Sequence, residues 1–140
     1  MNWPHSVTPE ALLKKAREAQ QAAYVPYSRF PVGAALLTAE GTVILGCNVE
    51  NASYGLSICA ERNALTTAVA LGERHFVAIA VVGRHGEPCL PCGACRQFMA
   101  EFNAAFFVVL EEGTESLLYR LDLDLLPHPF VLEGAFPLEA

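Results

Sequence analysis

Three cysteines, a glutamate and an arginine carry the chemistry that this sequence offers. Cys59 opens the run Cys59-Ala60-Glu61-Arg62, and Cys92 and Cys95 stand three apart in Pro91-Cys92-Gly93-Ala94-Cys95-Arg96-Gln97. Two thiolates at that spacing can chelate one Zn2+, and Cys59 supplies a third. Three protein ligands leave the fourth tetrahedral position open, which separates a catalytic zinc from a closed structural one. Glu61 lies two positions after Cys59, so on a regular helix the two side chains would diverge. Both can face the metal if Cys59 sits at the cap, and Glu61 is then an acid/base beside the metal water. The plainer role for a first-turn Glu is to complement the helix dipole. Three thiolates leave the site negative, which would hold the pKa of a bound water high. Arg62, one turn after Cys59, and two helix N-termini are the groups that can withdraw that charge. Arg96, beside Cys95, reads as a solvated surface cation. Cys89, in Pro88-Cys89-Leu90-Pro91-Cys92, is the competing thiol. It would close the site as a fourth ligand, or stand near it as a free thiol in a loop.

These residues need helix starts at Cys59 and Cys92, and the surrounding pattern supplies them. Thr8-Pro9 is a cap followed by Pro at the first helical position, and Leu12, Ala16, Ala19 and Ala23 recur on one face. A helix from Pro9 to Tyr24 follows, ended by Pro26 and Pro31. Val32–Thr38 and Thr42–Val49 read as a hairpin turning at Ala39-Glu40-Gly41, and a polar loop runs from Glu50 to Ser57. Cys59–Leu71 is helical up to Gly72, Val77–Val82 is a buried strand, and His85–Pro91 is a loop. Cys92–Phe102 is a short helix, Ala105–Leu110 a buried strand, and Ser116–Leu121 a last helix. Strands alternating with helices late in the chain pair in parallel, and the early hairpin is antiparallel. The expectation is a single α/β domain over residues 1–140, a three-layer α/β/α sandwich with a mixed sheet.

Composition narrows the partners. Of 140 residues, 53 % are apolar and 17 % charged, so a core is available and disorder is excluded. The formal charge of −6 argues against a polynucleotide, whose binding is dominated by clustered cations, but not against a single uncharged nucleoside. A short chain this apolar often covers surface with copies of itself. No apolar run approaches a membrane span, and Pro4, His5 and Glu10 occupy the place where a signal peptide needs an apolar stretch. The expected compartment is the cytoplasm, where five clustered cysteines more often bind metal than pair. His5, His75, His85 and His128 are scattered and receive no role.

The paired zinc motifs resemble those of the small homo-oligomeric cytidine deaminases of nucleoside salvage. The likeness runs from Tyr24-Val25-Pro26-Tyr27-Ser28-Arg29-Phe30-Pro31-Val32-Gly33-Ala34-Ala35 through Asn48–Tyr54 to Gln97. Cys59 stands where the H-x-E…P-C-x-x-C signature of zinc deaminases has His, so this is the three-cysteine variant. The resemblance implies a zinc cofactor and hydrolytic deamination of cytidine and 2′-deoxycytidine to uridine and 2′-deoxyuridine with release of ammonia. It implies that Glu61 moves protons, first to ring N3 and then to the departing amino group. It assigns Asn48 and Glu50 to the ribose hydroxyl and Phe30 to the wall of the pyrimidine pocket. Ala60 would offer its backbone N–H to the base carbonyl. A homotetramer is implied, with a C-terminal Phe reaching a neighbouring subunit's site. Leu125-Leu126-Pro127-His128-Pro129-Phe130 matches that ending and selects Phe130, although Phe136 follows in an extended tail.

Two other readings compete. A deaminase of another aminopyrimidine nucleoside, such as a blasticidin-type antibiotic, would keep the zinc motifs and change the sugar contacts. A structural zinc module for protein interaction would need four closed ligands and no use for Glu61. Loss of ultraviolet absorbance with cytidine, deoxycytidine or the antibiotic separates all three.

Overall fold

The computed structural model describes residues 2–132. Five strands form one mixed sheet in the order β2-β1-β3-β4-β5: β1 Gly33–Thr38, β2 Val43–Cys47, β3 Phe76–Val82, β4 Phe107–Glu112 and β5 Glu115–Arg120. β1 runs antiparallel to both β2 and β3, β3 and β4 are parallel, and β4 and β5 form a terminal hairpin. Alternation along β1 divides the core. Ala35 and Leu37 face helix α1 (Pro9–Gln20) through Leu12 and Ala16, together with Ala78, Ala80, Val82 and Val109. Ala34 and Leu36 face α2 (Ala60–Ala70) and α3 (Gly93–Ala100) through Ala64, Leu65, Ala68, Cys95 and Met99. The result is the expected three layers, with α1 on one face and α2 and α3 on the other.

Register explains where a site can form. Gly33 pairs with Cys47 on one side and Val82 on the other. The chain entering β1, the chain leaving β2 and the chain leaving β3 therefore meet at one end of the sheet. Those three segments carry Phe30, Asn48 and Cys89.

Two expectations about elements are corrected. Ser116–Leu121 is not a helix: Glu115–Arg120 is strand β5, paired along its length with β4. The turn between them is Gly113-Thr114, and Gly113 has a φ of 62°, as a two-residue hairpin loop requires. Leu117, Leu118 and Leu121 imitate helical spacing, but the strand forms because β4 offers it a ladder. The first helix also ends earlier than Tyr24. Tyr24 leaves it to bridge Val49, donating its N–H to the Asn48 carbonyl and accepting from the Glu50 N–H.

Candidate metal centre and active site

Both helix starts fall on cysteine. Cys59 is the cap of α2 and Cys92 the cap of α3, each with extended backbone, and Cys95 lies one turn into α3. An antiparallel bridge between Ile58 and Val49 sets the approach to α2. At Gly46 of β2 the helix comes so close that a Cβ would stand 2.5 Å from the Ala60 carbonyl oxygen and from the Ala64 nitrogen. Asn63 Nδ2 donates to the Cys47 carbonyl at 2.8 Å and ties the same helix to the same strand.

The Sγ atoms of Cys59, Cys92 and Cys95 lie within 4.8 Å of one another, and among the described residues they form the one such cluster. Cys59 and Cys92 are 3.9 Å apart. Soft thiolates at the positive ends of two helices suit Zn2+. Cys89 is outside this trio. Its sulfur packs toward the backbone at Gly83, and burial, aided by the charges of Glu61 and Cys59, pushes its thiol up to about 11. Its Sγ is not among the atoms that converge within 4.8 Å, so Cys89 fits a free thiol beside the site rather than a fourth ligand.

The charges on the trio are shared. Hydrogen bonding from Cys95, and then from Arg62, holds Cys59 well below the usual thiol range. The bonded Cys59 sulfur, with burial behind it, pushes Cys95 up. Arg62 Nη2 donates to Cys59 Sγ at 3.4 Å. Glu61 is only 4 % exposed. Burial raises its carboxyl to about 7, with Cys59 adding to the shift and Arg62 opposing it. A carboxyl near 7 can both accept and return a proton at neutral pH.

The remaining candidates are distributed more widely than their spacing suggests. Asn48, Ala60, Glu61, Cys59, Cys92, Cys89, Leu90 and Val32 line one cleft. Ala60 is the first residue of α2, so its N–H is one of the donors without an intrahelical partner. Asn48 accepts from Val32 N at Oδ1 and donates from Nδ2 to the Phe30 carbonyl, both at 2.9 Å. Glu50 Oε1 accepts from the N–H groups of Tyr27 and Ser28, each at 3.0 Å. Hydrogen bonding from Ser28 holds the Glu50 carboxyl below the usual range. Both side chains thus face the loop that carries Phe30, and Glu50 lines an adjoining cleft with Tyr27, Ser28, Tyr54 and Ser57. The Phe30 ring rests on Gly83, where a Cβ would come within 3.1 Å of two ring carbons, and the Arg84 guanidinium lies 5.3 Å from its centroid. Phe130 stands apart from the cleft, 72 % exposed, with its backbone held by Gln97 through two 2.9 Å hydrogen bonds. Phe136 lies outside the described residues.

Sequence reasoning missed several of these partners. Arg96 is not a free surface cation: Nε donates to the Pro91 carbonyl and Nη1 to that of Leu125, so it fixes the entry to α3. Gly83 had one visible signal, its place directly after the buried strand. Gln97 had none, because its partner is the backbone of Phe130.

A mixed sheet between helices, with sulfur donors at two helix starts and a buried carboxyl beside them, defines a zinc enzyme of the α/β/α type. Comparison with known proteins narrows that class. A family model described as the cytidine and deoxycytidylate deaminase zinc-binding region matches residues 6–111. A cytidine deaminase of Halalkalibacterium halodurans is 50 % identical over 125 residues, covering 89 % of this chain and 95 % of that protein. One from Sporosarcina psychrophila is 54 % identical over 125 residues, covering 89 % and 92 %. The crystal structure of cytidine deaminase from Burkholderia pseudomallei superposes with a TM-score of 0.83 at 51 % identity, covering 88 % of this chain and 99 % of that one. The chain belongs to the cytidine and deoxycytidylate deaminase family.

Proposed function

We propose that this protein is a zinc-dependent cytidine deaminase, converting cytidine and 2′-deoxycytidine with water to uridine and 2′-deoxyuridine and ammonia. The observation that carries the reading is the three-thiol cluster beside the buried carboxyl of Glu61. Family membership and relatives that are themselves cytidine deaminases support it. The 140 residues act as one catalytic domain.

Cys59, Cys92 and Cys95 would hold the zinc, and the fit rests on their donor chemistry and convergence. Bound zinc supplies a Lewis-acid position that makes water acidic enough to react near neutrality. Glu61 takes a proton from the attacking water and delivers it to N3 of the pyrimidine, which makes C4 more electrophilic. Attack at C4 gives a tetrahedral carbon. Glu61 then carries the second proton to the amino nitrogen, and the C–N bond breaks to release ammonia. Arg62 offsets the negative charge of the thiolates. Asn48 and Glu50 take the ribose hydroxyl, using lone pairs and protons not already spent on the Phe30 loop. Phe30 forms the wall against the base, and Ala60 N–H meets its carbonyl.

The enzyme works as a homo-oligomer, a tetramer by family resemblance, in the cytoplasm. Exposed Tyr54, Leu56, Leu71 and Phe130 favour burial against further copies, and Phe130 reaches a neighbouring site. Five free cysteines suit a reducing compartment. Among the described residues no helix is long and apolar enough to cross a membrane. The test is ultraviolet absorbance on mixing purified protein with cytidine or deoxycytidine. A steady fall with ammonia release supports the reading, and an unchanged spectrum with both nucleosides refutes it.

A further inference from the structure

Gln20, the last residue of α1, lies on the opposite face of the sheet from the metal helices, yet its side chain reaches the backbone on either side of Phe30. Its Nε2 donates to two carbonyls, Pro31 at 2.9 Å and Gly83 at 2.7 Å. An amide nitrogen carries two protons, so both bonds can be made at once. Pro31 follows Phe30, and Gly83 is the residue on which the Phe30 ring and the Cys89 sulfur rest. One side-chain amide therefore joins the two backbone segments between which Phe30 is packed.

The amide is itself held. Arg17 Nη1 donates to Gln20 Oε1 at 2.9 Å, which leaves Nε2 aimed at the carbonyls, and it also donates to the Gly83 carbonyl at 2.8 Å. Arg17 Nη2 is paired with Glu111 at the end of β4. Glu111 Oε1 in turn accepts from Gly86 N at 2.8 Å, in the loop that leads to Cys89 and Cys92. Arg17 and Glu111 are both about four-fifths buried, so this is a shielded network rather than a surface pair. None of its members touches the thiol cluster or Glu61.

We infer that Gln20, oriented by the Arg17–Glu111 pair, is a positioning residue for substrate binding: it stations the Phe30 wall against the base without entering the chemistry. This inference rests on the proposed nucleoside site. A group that places the wall and spares the metal and proton carrier moves binding more than turnover.

Gln20→Met keeps length and bulk and removes both donors; Gln20→Lys restores donors to the same carbonyls. Gln20→Met is expected to raise KM for cytidine about 5- to 10-fold, the weight of one or two hydrogen bonds, with kcat within about twofold. Bound zinc should stay at the wild-type content, and Gln20→Lys should recover most of the KM. Arg17→Met is expected to give the same split even if Gln20→Met fails to fold. Unchanged KM in Gln20→Met or Arg17→Met, or kcat and zinc falling while KM holds, overturns the inference. Amide hydrogen exchange supplies a readout independent of activity. Faster exchange in residues 25–32 and 83–90 of Gln20→Met, with the Thr38–Thr42 turn unchanged, supports the link, and equal exchange in all three overturns it. A wild-type protein inert to cytidine, combined with that exchange pattern, refutes the nucleoside reading and leaves the link between Pro31 and Gly83 standing.

Discussion

Arg62 gives its Nη2 proton to the sulfur of Cys59, the residue that caps the very helix on which Arg62 sits one turn later. Its Nε is buried and, among the described residues, without a hydrogen-bond partner, so the bond to Cys59 is the contact that anchors the guanidinium at the thiols. The thiols in turn push the Arg62 pKa upward. A negative donor set and a fixed cation are thus built into a single turn of chain.

Arg62→Ala should therefore loosen the metal. Loss of an outer partner of a ligand commonly costs about 10- to 100-fold in metal affinity or activity, and a loss in that range is expected here. Competition with a chelator, read as zinc remaining per chain, checks it. Wild-type retention together with wild-type turnover would remove Arg62 from the site.

The Glu61 carboxyl sets a pH dependence of folding in the metal-free protein. Burial raises it to about 7, from an ordinary carboxyl value of 4.5. Folded chain thus holds a proton that unfolded chain releases at lower pH. The contribution of this proton is complete below the unfolded pKa and is lost as pH climbs through about 7. Glu61→Gln has no such term. Metal-free variant should gain on metal-free wild type by about 3 kcal/mol between pH 4.5 and 8. Urea midpoints at both pH values measure this, and a gap that stays constant contradicts it.

Gly46→Ala should damage the fold rather than the chemistry. The added methyl would meet backbone atoms of Ala60 and Ala64, which no rotamer change can move aside. A loss of about 3 kcal/mol is expected, near the upper end for overpacking. Thermal melting would show it, and a wild-type Tm would mean that α2 can retreat from β2 freely.

The layers were legible because their signals are local. Thr8-Pro9 announced the first helix, the apolar run Val32–Thr38 announced β1, which is buried throughout, and the cysteines named the starts of α2 and α3. β5 was misread because its evidence is nonlocal: Leu117 and Leu118 pair with Leu110 and Val109, and a Leu-rich hexapeptide looks equally helical until that ladder is present. In the site, spacing exposed Cys59, Glu61, Cys92 and Cys95, whose chemistry resides in side chains. It could not expose Gln20, Arg96 or Gln97, because each binds main-chain oxygen or nitrogen, which every residue possesses.

Cys89 separates an open site from a closed one. Its sulfur lies outside the trio, so Cys89→Ala should keep one zinc per chain, whereas Cys92→Ser should lose most of it. Metal analysis after gel filtration distinguishes the two. Zinc lost from Cys89→Ala would make it a fourth ligand and close the site to substrate.

The most direct measurement follows cytidine turnover and bound zinc together in Glu61→Gln. Wild-type zinc content with turnover reduced by at least about 10³-fold is expected, since the amide fills the same buried place and cannot ferry a proton. A Glu61→Gln protein that holds its zinc and still deaminates cytidine at a rate near wild type would mean that Glu61 is not the proton carrier.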